Sequence, residues 1–518
     1  MIKISEQNQI KIGVFISYFS LFASAAISIF YSPFLLNAFG DETFGIFSFS
    51  QSLVSWLSVF SFGFTSTYIY FATRAEKKGQ QSLHELNLFY VLLFFGLTCL
   101  ALLAGFVVLL LLRFEIIPLG LYTDSQKSMI LLLTALSAFH TIIYLPFDIF
   151  RLFPSYKSKF IWVRTGTLVI NVLTPLLVVL FIQINSQIWI VPLVQICVQI
   201  LIGIANFCYS VFVLKFKVKR IKAKRFKKLI RTTGYFSLFI FINTIVDQIN
   251  ANVDKTLLGL MVGAGSVTLY AFGMQLSTYV TTMASAITNS LAPRFNRYEV
   301  SKDVKSTNEL FLNATHVLSF LVLYIFGGFL SCGDDFIQVW LGKERFYAFW
   351  VGLILIGFQT LPLAEAPAIE VQRARNMHKF RSVFLLIATL ANVILTIIFL
   401  FIFPTDFKIL GCLVSTGIST ICSQWIALNI YYEKRLGLPV KTVLLRFLKL
   451  AFFSISSSVA TRSLFLFTNY NENPSWLSVF VKALAFSLFF ALFVLLFDRN
   501  EFLKDIHRLF GRKSNGKE

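Results

Sequence analysis

The sequence has little charge and very few acidic residues. Of its 518 residues, 14% are charged, and 25 Asp and Glu stand against 46 Lys and Arg. A soluble chain of this length needs a polar surface, which so few charged side chains could not supply. The composition therefore excludes an ordinary soluble protein.

Sequence signatures of catalysis and of metal binding are missing as well. We find no phosphate-cradling glycine loop, no credible catalytic triad and no zinc-ligand spacing. The six cysteines lie in or beside apolar runs, as is typical of small packing residues. We therefore predict no cofactor, no metal site and no enzymatic activity.

Long apolar runs dominate the sequence. Hydrophobic residues make up 57% of it, 60 residues are Phe, and the mean hydropathy is +0.74. A helix of about 20 residues spans a bilayer and satisfies its own backbone polar groups. The predicted fold class is an all-α polytopic membrane protein with about fourteen transmembrane helices. The predicted spans are residues 12–36, 44–72, 86–112, 128–150, 160–182, 188–214, 233–262, 267–292, 310–332, 347–371, 382–403, 409–431, 446–468 and 476–497.

Charge placement predicts the orientation of these helices. The formal net charge is +21, and basic residues gather in alternate loops, as cytoplasmic loops do. The basic loops hold Arg74, Lys77, Lys157, Lys159, Arg294, Arg297, Arg373, Arg375 and Lys434, whereas the opposite loops hold Asp41, Glu42, Asp124, Asp334, Asp335 and Asp406. We therefore predict a bacterial inner-membrane protein with both termini in the cytoplasm.

The most basic segment is 215–231 (KFKVKRIKAKRFKKLIR). Such a patch can bind nucleic acid, but no nucleic-acid-binding motif accompanies it and it lies between two predicted spans. We predict a cytoplasmic connector that rests on anionic membrane lipids, and no nucleic-acid partner.

The connector separates two halves that look related. Residues 34–51 can be laid on 257–274, which pairs Gly40 with Gly263. Two repeats of the same orientation predict pseudo-symmetric six-helix lobes with the site between them. The predicted domains are an N-terminal lobe (1–214), the connector (215–232), a C-terminal lobe (233–432), and an appended helix pair with a basic tail (433–518).

Several short motifs resemble one family of transporters. They are the pattern from Gly40 to Gln51, residues 252–259 (NVDKTLLG), the turn at Gly263, Tyr270-Ala271 and Ala292-Pro293-Arg294. Together they resemble the Wzx-type polysaccharide repeat-unit flippases of the multidrug/oligosaccharidyl-lipid/polysaccharide exporter superfamily. The resemblance implies that the chain moves an undecaprenyl-diphosphate-linked oligosaccharide from the cytoplasmic to the outer leaflet by alternating access. It also implies a polysaccharide polymerase or other assembly machinery as partner.

The seventh predicted span carries a polar stripe. Asn243, Asp247, Asn250 and Asp254 are spaced i, i+4, i+7 and i+11 and share one helical face. A carboxylate within the membrane is costly and normally faces a wet cavity or a partner. We predict that the stripe binds sugar hydroxyls and that Asp247 takes up a coupling proton or cation. The alternative is that these groups pair with one another or with Lys255 and lock the helix.

Four cations lie in or near predicted spans. Lys255 and Arg164 are candidates to bind the diphosphate, although pairing or snorkelling to headgroups would also account for them. Arg462 and Lys482 in the appended pair are expected to anchor it or to pair with lipid phosphate.

Polar side chains also follow the second and eighth spans. We predict that Gln51, Gln275 and Thr278 line the cavity, while close packing of helices is the alternative.

Three other functions remain open on the sequence alone. A cation-coupled multidrug antiporter of the same superfamily would share the fold. A lipid II flippase is also compatible, although few cations lie within the spans. A membrane glycosyltransferase is suggested only by the acidic pair Asp41-Glu42, and the short outside loops disfavour it.

Overall fold

A computed structural model of the chain describes residues 6–61, 63–375, 377–466 and 474–510. Within these residues the regular structure is entirely helical, which confirms the predicted all-α membrane fold. The longer helices are α1 (Glu6–Ser55), α2 (Phe64–Lys77), α3 (Gln80–Arg113), α4 (Asp124–Ile143), α5 (Asp148–Tyr156), α6 (Phe160–Ile184), α7 (Ile190–Cys208), α8 (Ala223–Met261) and α9 (Ala264–Val300). They continue with α10 (Val304–Leu341), α11 (Tyr347–Ala364), α12 (Pro367–Ala374), α13 (His378–Ile402), α14 (Lys408–Thr420), α15 (Leu428–Leu436), α16 (Val440–Phe465), α17 (Trp476–Phe497) and α18 (Arg499–Phe510).

Among the described residues, 11 helical stretches are long and apolar enough to cross a membrane, or 12 if a bent pair counts as one span. The predicted spans 12–36 and 44–72 fall largely on a single stretch, Phe15–Ser61, whose 47 residues are about twice the length of one crossing. The predicted span 267–292 falls on α9, which is long but not among those stretches. The number fourteen therefore stays a prediction.

The chain forms two compact units, residues 1–268 and residues 269–518. In the first unit, α2, α3 and α5 enclose a core rich in aromatic side chains. Its centre is the fully buried pair Tyr68 and Tyr90, whose rings meet edge to face at 5.0 Å. Such contacts add specific geometry to the burial of large apolar area.

Helix α1 runs almost unbroken through the first predicted span and the first part of the second. The one break in it is Gly40, which has φ 78° and ψ 170°. Only glycine adopts such a backbone conformation without strain. The predicted loop at Asp41-Glu42 is therefore a break of one residue within a helix.

Residues of the basic connector pack against the first unit. Residues 215–222 form no helix, and α8 begins at Ala223, inside the predicted connector. Phe216 is buried, and the Phe226 ring lies 5.3 Å from that of Phe89 on α3. The basic side chains of residues 215–231 are all exposed. The apolar residues thus fix the connector while its charges face outward.

In the second unit, α10 packs against α16 and α17. Lys482 Nζ lies 2.6 Å from Asp335 Oδ2, and both side chains are buried. Arg462 Nη2 lies 3.1 Å from Asp334 Oδ2. Of the two roles expected for these cations, the structure shows anchoring of the appended pair rather than pairing with lipid phosphate, because each cation pairs with a carboxylate of α10.

The prediction that Asp334 and Asp335 lie in a loop is wrong, while their position on the outer side of the membrane stays a prediction. Both belong to α10, which continues to Leu341. The apolar run ends near residue 332, but the helix does not, because its acidic side chains are compensated by Arg462 and Lys482.

Helix α18 is held to α10 by a buried histidine. His316 Nε2 lies 2.9 Å from Asp498 Oδ2, and its Nδ1 lies 2.8 Å from Asp505 Oδ2. All three side chains are buried. Burial alone would raise the pKa of Asp498, but the neighbouring His316 and Lys449 outweigh it and hold that pKa below its ordinary value. Arg294 adds a second anchor, because its Nη1 donates to the Leu509 carbonyl at the end of α18 at 2.7 Å.

Candidate functional site

The polar stripe belongs to α8, and α8 is positioned by close contact with α1. Gly259 of α8 lies against the Phe49 ring of α1, and Gly45 of α1 lies against the carbonyl of Ala264, the first residue of α9. At neither glycine is there room for a Cβ atom. Between them, Thr256 Oγ1 bonds Ser52 Oγ at 2.9 Å. Small residues let the two helices approach closely, as in other membrane helix pairs.

The stripe lies on the side of α8 that faces away from this contact. Thr256 and Gly259 point toward α1, and residues spaced as in the stripe are turned by roughly half a circle from them. Asp247 and Asn250 are exposed and Asn243 is half-buried, whereas Asp254 is buried, with 6% of its surface exposed. The stripe therefore presents two polar side chains and keeps one carboxylate inside the unit.

The stripe also extends over a wide range of depth. The apolar part of α8 is Ile240–Met261, which follows a 51° bend after Tyr235. At 1.5 Å per residue, Asp247 lies about 21 Å from the end of this helix, and Asp254 about 10 Å from it. Asp247 is thus well inside the span.

Lys255 lies next to Asp254, at one end of the stripe. It is half-buried and forms no ion pair within the part of the chain that the structure describes. Its neighbour Asn252 instead bonds Gln248 within the same helix, at 3.1 Å between the amide groups. Lys255 does interact electrostatically with the adjacent Asp254, so a lock between these two residues stays an alternative to diphosphate binding.

The other predicted site residues lie apart from the stripe. Arg164 is exposed in the second turn of α6, and Gln51 is half-buried on α1 beside Ser52. In the second unit, Gln275 Nε2 bonds the Tyr279 hydroxyl, and Thr278 bonds the Met274 carbonyl of its own helix at 2.9 Å. The structure thus brings the α8 residues onto one face, and places Gln275 and Thr278 in the other unit.

Sequence reasoning missed a polar cluster at the junction of α4 and α5. Asp148 is fully buried, and its Oδ1 accepts a hydrogen bond from Arg151 Nε at 2.8 Å. Its Oδ2 accepts one from Thr65 of α2 at 2.6 Å. The Arg151 guanidinium lies over the Tyr144 ring, 5.9 Å from its centroid. The sequence did contain a signal for this cluster, because Asp148 and Arg151 are three residues apart and follow Pro146 at the end of an apolar run.

These groups define what the site can do. Exposed carboxylate and amide groups can form hydrogen bonds with hydroxyl groups, and cationic side chains can bind a phosphate. No group of three or more His, Cys, Asp or Glu side chains in the described ranges could hold a metal ion.

Comparison with protein families gives the chain its place. The family model "Polysaccharide biosynthesis protein" matches residues 10–299, more than half of the sequence. The chain belongs to the polysaccharide biosynthesis protein family. This finding confirms the family expected from the sequence, a polysaccharide flippase family of the exporter superfamily.

A relative of this chain is the uncharacterized membrane protein EpsK of Bacillus subtilis strain 168. It is 22% identical over 426 residues, which cover 80% of this chain and 81% of the relative.

Solved structures show that the polysaccharide biosynthesis family member shares the fold of lipid and drug transporters. The lipid II flippase MurJ, in an inward closed conformation, matches with a TM-score of 0.71 at 17% identity, over 94% of this chain and 99% of that one. A mutant of the Vibrio cholerae MATE transporter VcmN matches with a TM-score of 0.53 at 14% identity, over 83% and 97%. The family and the fold are those of flippases and transporters, not of an enzyme class.

Proposed function

We propose that the chain is a flippase for an undecaprenyl-diphosphate-linked oligosaccharide repeat unit. It moves this lipid from the cytoplasmic to the outer leaflet of the bacterial inner membrane, with both of its own termini in the cytoplasm. Membership of the polysaccharide biosynthesis family supports this substrate class.

The observation that carries the proposal is the exposed polar stripe on α8. Asp247 and Asn250 are exposed inside a span that is otherwise apolar. Such exposed groups face water or a polar ligand rather than lipid, because moving a polar or charged side chain from water into hydrocarbon costs several kcal/mol. A sugar headgroup crossing the membrane requires a hydrated path of this kind.

Each candidate residue then has a role. The stripe from Asn243 to Asp254 bonds sugar hydroxyls, and Gln51, Gln275 and Thr278 extend the polar lining. Lys255 and Arg164 attract the diphosphate, and Asp247 takes up the proton or cation that couples transport. The headgroup crosses by alternating access while the polyprenyl tail remains in lipid.

A cation-coupled multidrug antiporter is the second candidate. The observation in its favour is Asp247, a carboxylate exposed within the membrane, on a fold shared with a MATE transporter. A drug antiporter would export cationic dyes and would have no effect on surface glycan.

The test is rescue of surface-glycan export in bacteria that lack their own repeat-unit flippase. We expect the native chain to restore export with its cognate glycan, and Asp247→Asn and Lys255→Ala to reduce it. Asp406→Asn is the matched control, because Asp406 is an exposed carboxylate outside the stripe.

Amounts of each variant in the membrane are compared by fluorescence of a fused reporter and by size-exclusion chromatography. Dye efflux without any glycan phenotype would overturn the proposal in favour of the antiporter. Equal rescue by Asp247→Asn and the control would remove the stripe from the transport path.

A further inference from the structure

The Asp148–Arg151 pair differs from an ordinary ion pair on a helix surface. In such a pair both side chains are exposed, and the pair contributes little to stability. Here the carboxylate is fully buried, whereas 41% of the arginine side chain is exposed. The buried acid is held from a second helix by Thr65, which is 83 residues away in sequence. Asp148 is therefore a fixed anchor, and Arg151 is the group presented to the surroundings.

The geometry leaves part of the guanidinium available. Arg151 Nε and Nη2 both approach Asp148 Oδ1, at 2.8 and 2.6 Å. A guanidinium has five N–H donors in a planar fork. Asp148 and the Tyr144 side chain engage only some of them, so donors remain for another acceptor. Such a fork matches two oxygens of a phosphate.

The position suits a ligand at the membrane surface. Arg151 precedes the last residue of α5, Tyr156, by five residues, or about 7.5 Å along the helix. Lys157 and Lys159 follow, in a loop predicted to be cytoplasmic. Arg151 thus lies near the depth at which lipid phosphates meet the edge of the hydrocarbon core.

The same arrangement recurs in the second unit. There α11 ends at Ala364, and the short helix α12 begins at Pro367. Arg373 Nη1 bonds Glu370 Oε1 at 2.6 Å, again three residues apart, with the acid buried and the arginine 62% exposed. The recurrence at the end of the fourth span of each predicted half indicates that the pair is a feature of the repeat.

We propose that Arg151, oriented by Asp148, binds the diphosphate of a polyprenyl-linked substrate as it enters from the cytoplasmic leaflet. This inference rests on the proposed function and adds a residue that sequence reasoning had not considered. The buried carboxylate fixes the direction of the guanidinium before the ligand arrives, which reduces the ordering that binding requires.

The test measures binding to the full-length protein in lipid nanodiscs. The probes are undecaprenyl diphosphate, undecaprenyl monophosphate and undecaprenol. We expect Arg151→Gln to weaken binding of the diphosphate by about 10- to 100-fold, as expected for loss of hydrogen bonds to a charged group, with undecaprenol binding unchanged. Lys157→Gln is the matched control, because it removes one positive charge from the same side. Lys157 pairs with the partly exposed Glu76 and lies over the Tyr156 ring. We expect this variant to change the affinity by less than about twofold.

Arg151→Lys separates binding from a merely structural role. Lysine can still pair with Asp148 but lacks the planar fork. We expect it to keep the native melting temperature and yet to bind the diphosphate more weakly. An affinity loss that follows the melting temperature and is restored by lysine would overturn the inference, as would native affinity in Arg151→Gln. Competition by excess phosphatidylglycerol would also overturn it, in favour of a site for bulk phospholipid. Failure of the unmutated protein to prefer the diphosphate over undecaprenol would instead refute the proposed function.

Discussion

The buried ion pair between α10 and α17 allows a sharp prediction about stability. Asp335 and Lys482 lie 2.6 Å apart, with 6% and 7% of their side chains exposed. Lys482→Met removes the positive charge and leaves the carboxylate in a poorly hydrated place. Breaking a buried pair from one side costs about 3–5 kcal/mol, because the remaining charge is uncompensated. The nearest other polar partner is Ser478, whose hydroxyl already donates to the Ser475 carbonyl at 2.8 Å. It therefore cannot replace the lysine.

The double variant Asp335→Leu/Lys482→Met removes both charges. Replacing a buried ion pair by apolar residues is often neutral or stabilising by about 1–4 kcal/mol. We therefore expect the double variant to recover the stability that Lys482→Met loses. Asp335→Leu completes the double-mutant cycle, and its coupling energy should be as large as the sum of the two single-variant costs when the double variant has native stability.

Unfolding can be followed in detergent with a thiol-reactive fluorescent dye. Cys332 is buried on α10, three residues before Asp335, so its labelling reports the opening of this region. The exposed Cys99, Cys197 and Cys422 give a background that is present before unfolding. An unchanged melting temperature in Lys482→Met would refute the reasoning, and so would a double variant as unstable as the single one.

Two further predictions concern α18 and the contact between α1 and the start of α9. Because the pKa of Asp498 is lowered in the folded protein, its contribution to stability is complete above the unfolded pKa of about 3.9 and disappears as the pH falls through the folded pKa. The difference in melting temperature between the native chain and Asp498→Asn should shrink below about pH 4, and a difference that stays constant to pH 3 would contradict this. Gly45→Ala places a methyl group against the Ala264 carbonyl and should destabilise by about 1–3 kcal/mol. In contrast, Gly96→Ala meets open space and should be neutral or stabilising; equal melting temperatures for the two variants would argue against a tight contact.

The helical fold could be predicted because the length of the apolar runs and the positions of the basic loops can be read along the sequence without knowledge of the tertiary structure. The end of α10 could not be predicted in this way. The end of α10 was missed because Asp334 and Asp335 look like loop residues until their partners, Arg462 and Lys482, are known to lie beside them. Those partners are more than 120 residues distant in sequence, so no local pattern reveals them.

The site could be predicted only in part, for a similar reason. Periodicity places Asn243 to Asp254 on one face, since helical spacing is regular. It does not reveal that Asp254 is buried while Asp247 is exposed, because burial depends on which other parts of the chain pack against each turn of α8. Arg151 was overlooked because the role of an arginine near a membrane surface depends on the groups that orient it. Here Asp148 orients Arg151, and Asp148 is itself bonded by Thr65 from another helix.

The anchoring of α18 has a consequence for the order in which the protein is made. The contact between His316 and Asp505 can form only after Asp505, which lies 189 residues later, has been synthesised and has folded back onto α10. Chains fold from the N-terminus as they emerge, so most of the second unit is inserted before its last helix exists. Until Asp498 and Asp505 have been synthesised, His316 lacks both of these carboxylate partners. The second unit therefore reaches its final packing only after α18 has been made, and a ribosome stalled before Asp498 would leave a chain in which α10 is inserted but His316 is not yet paired.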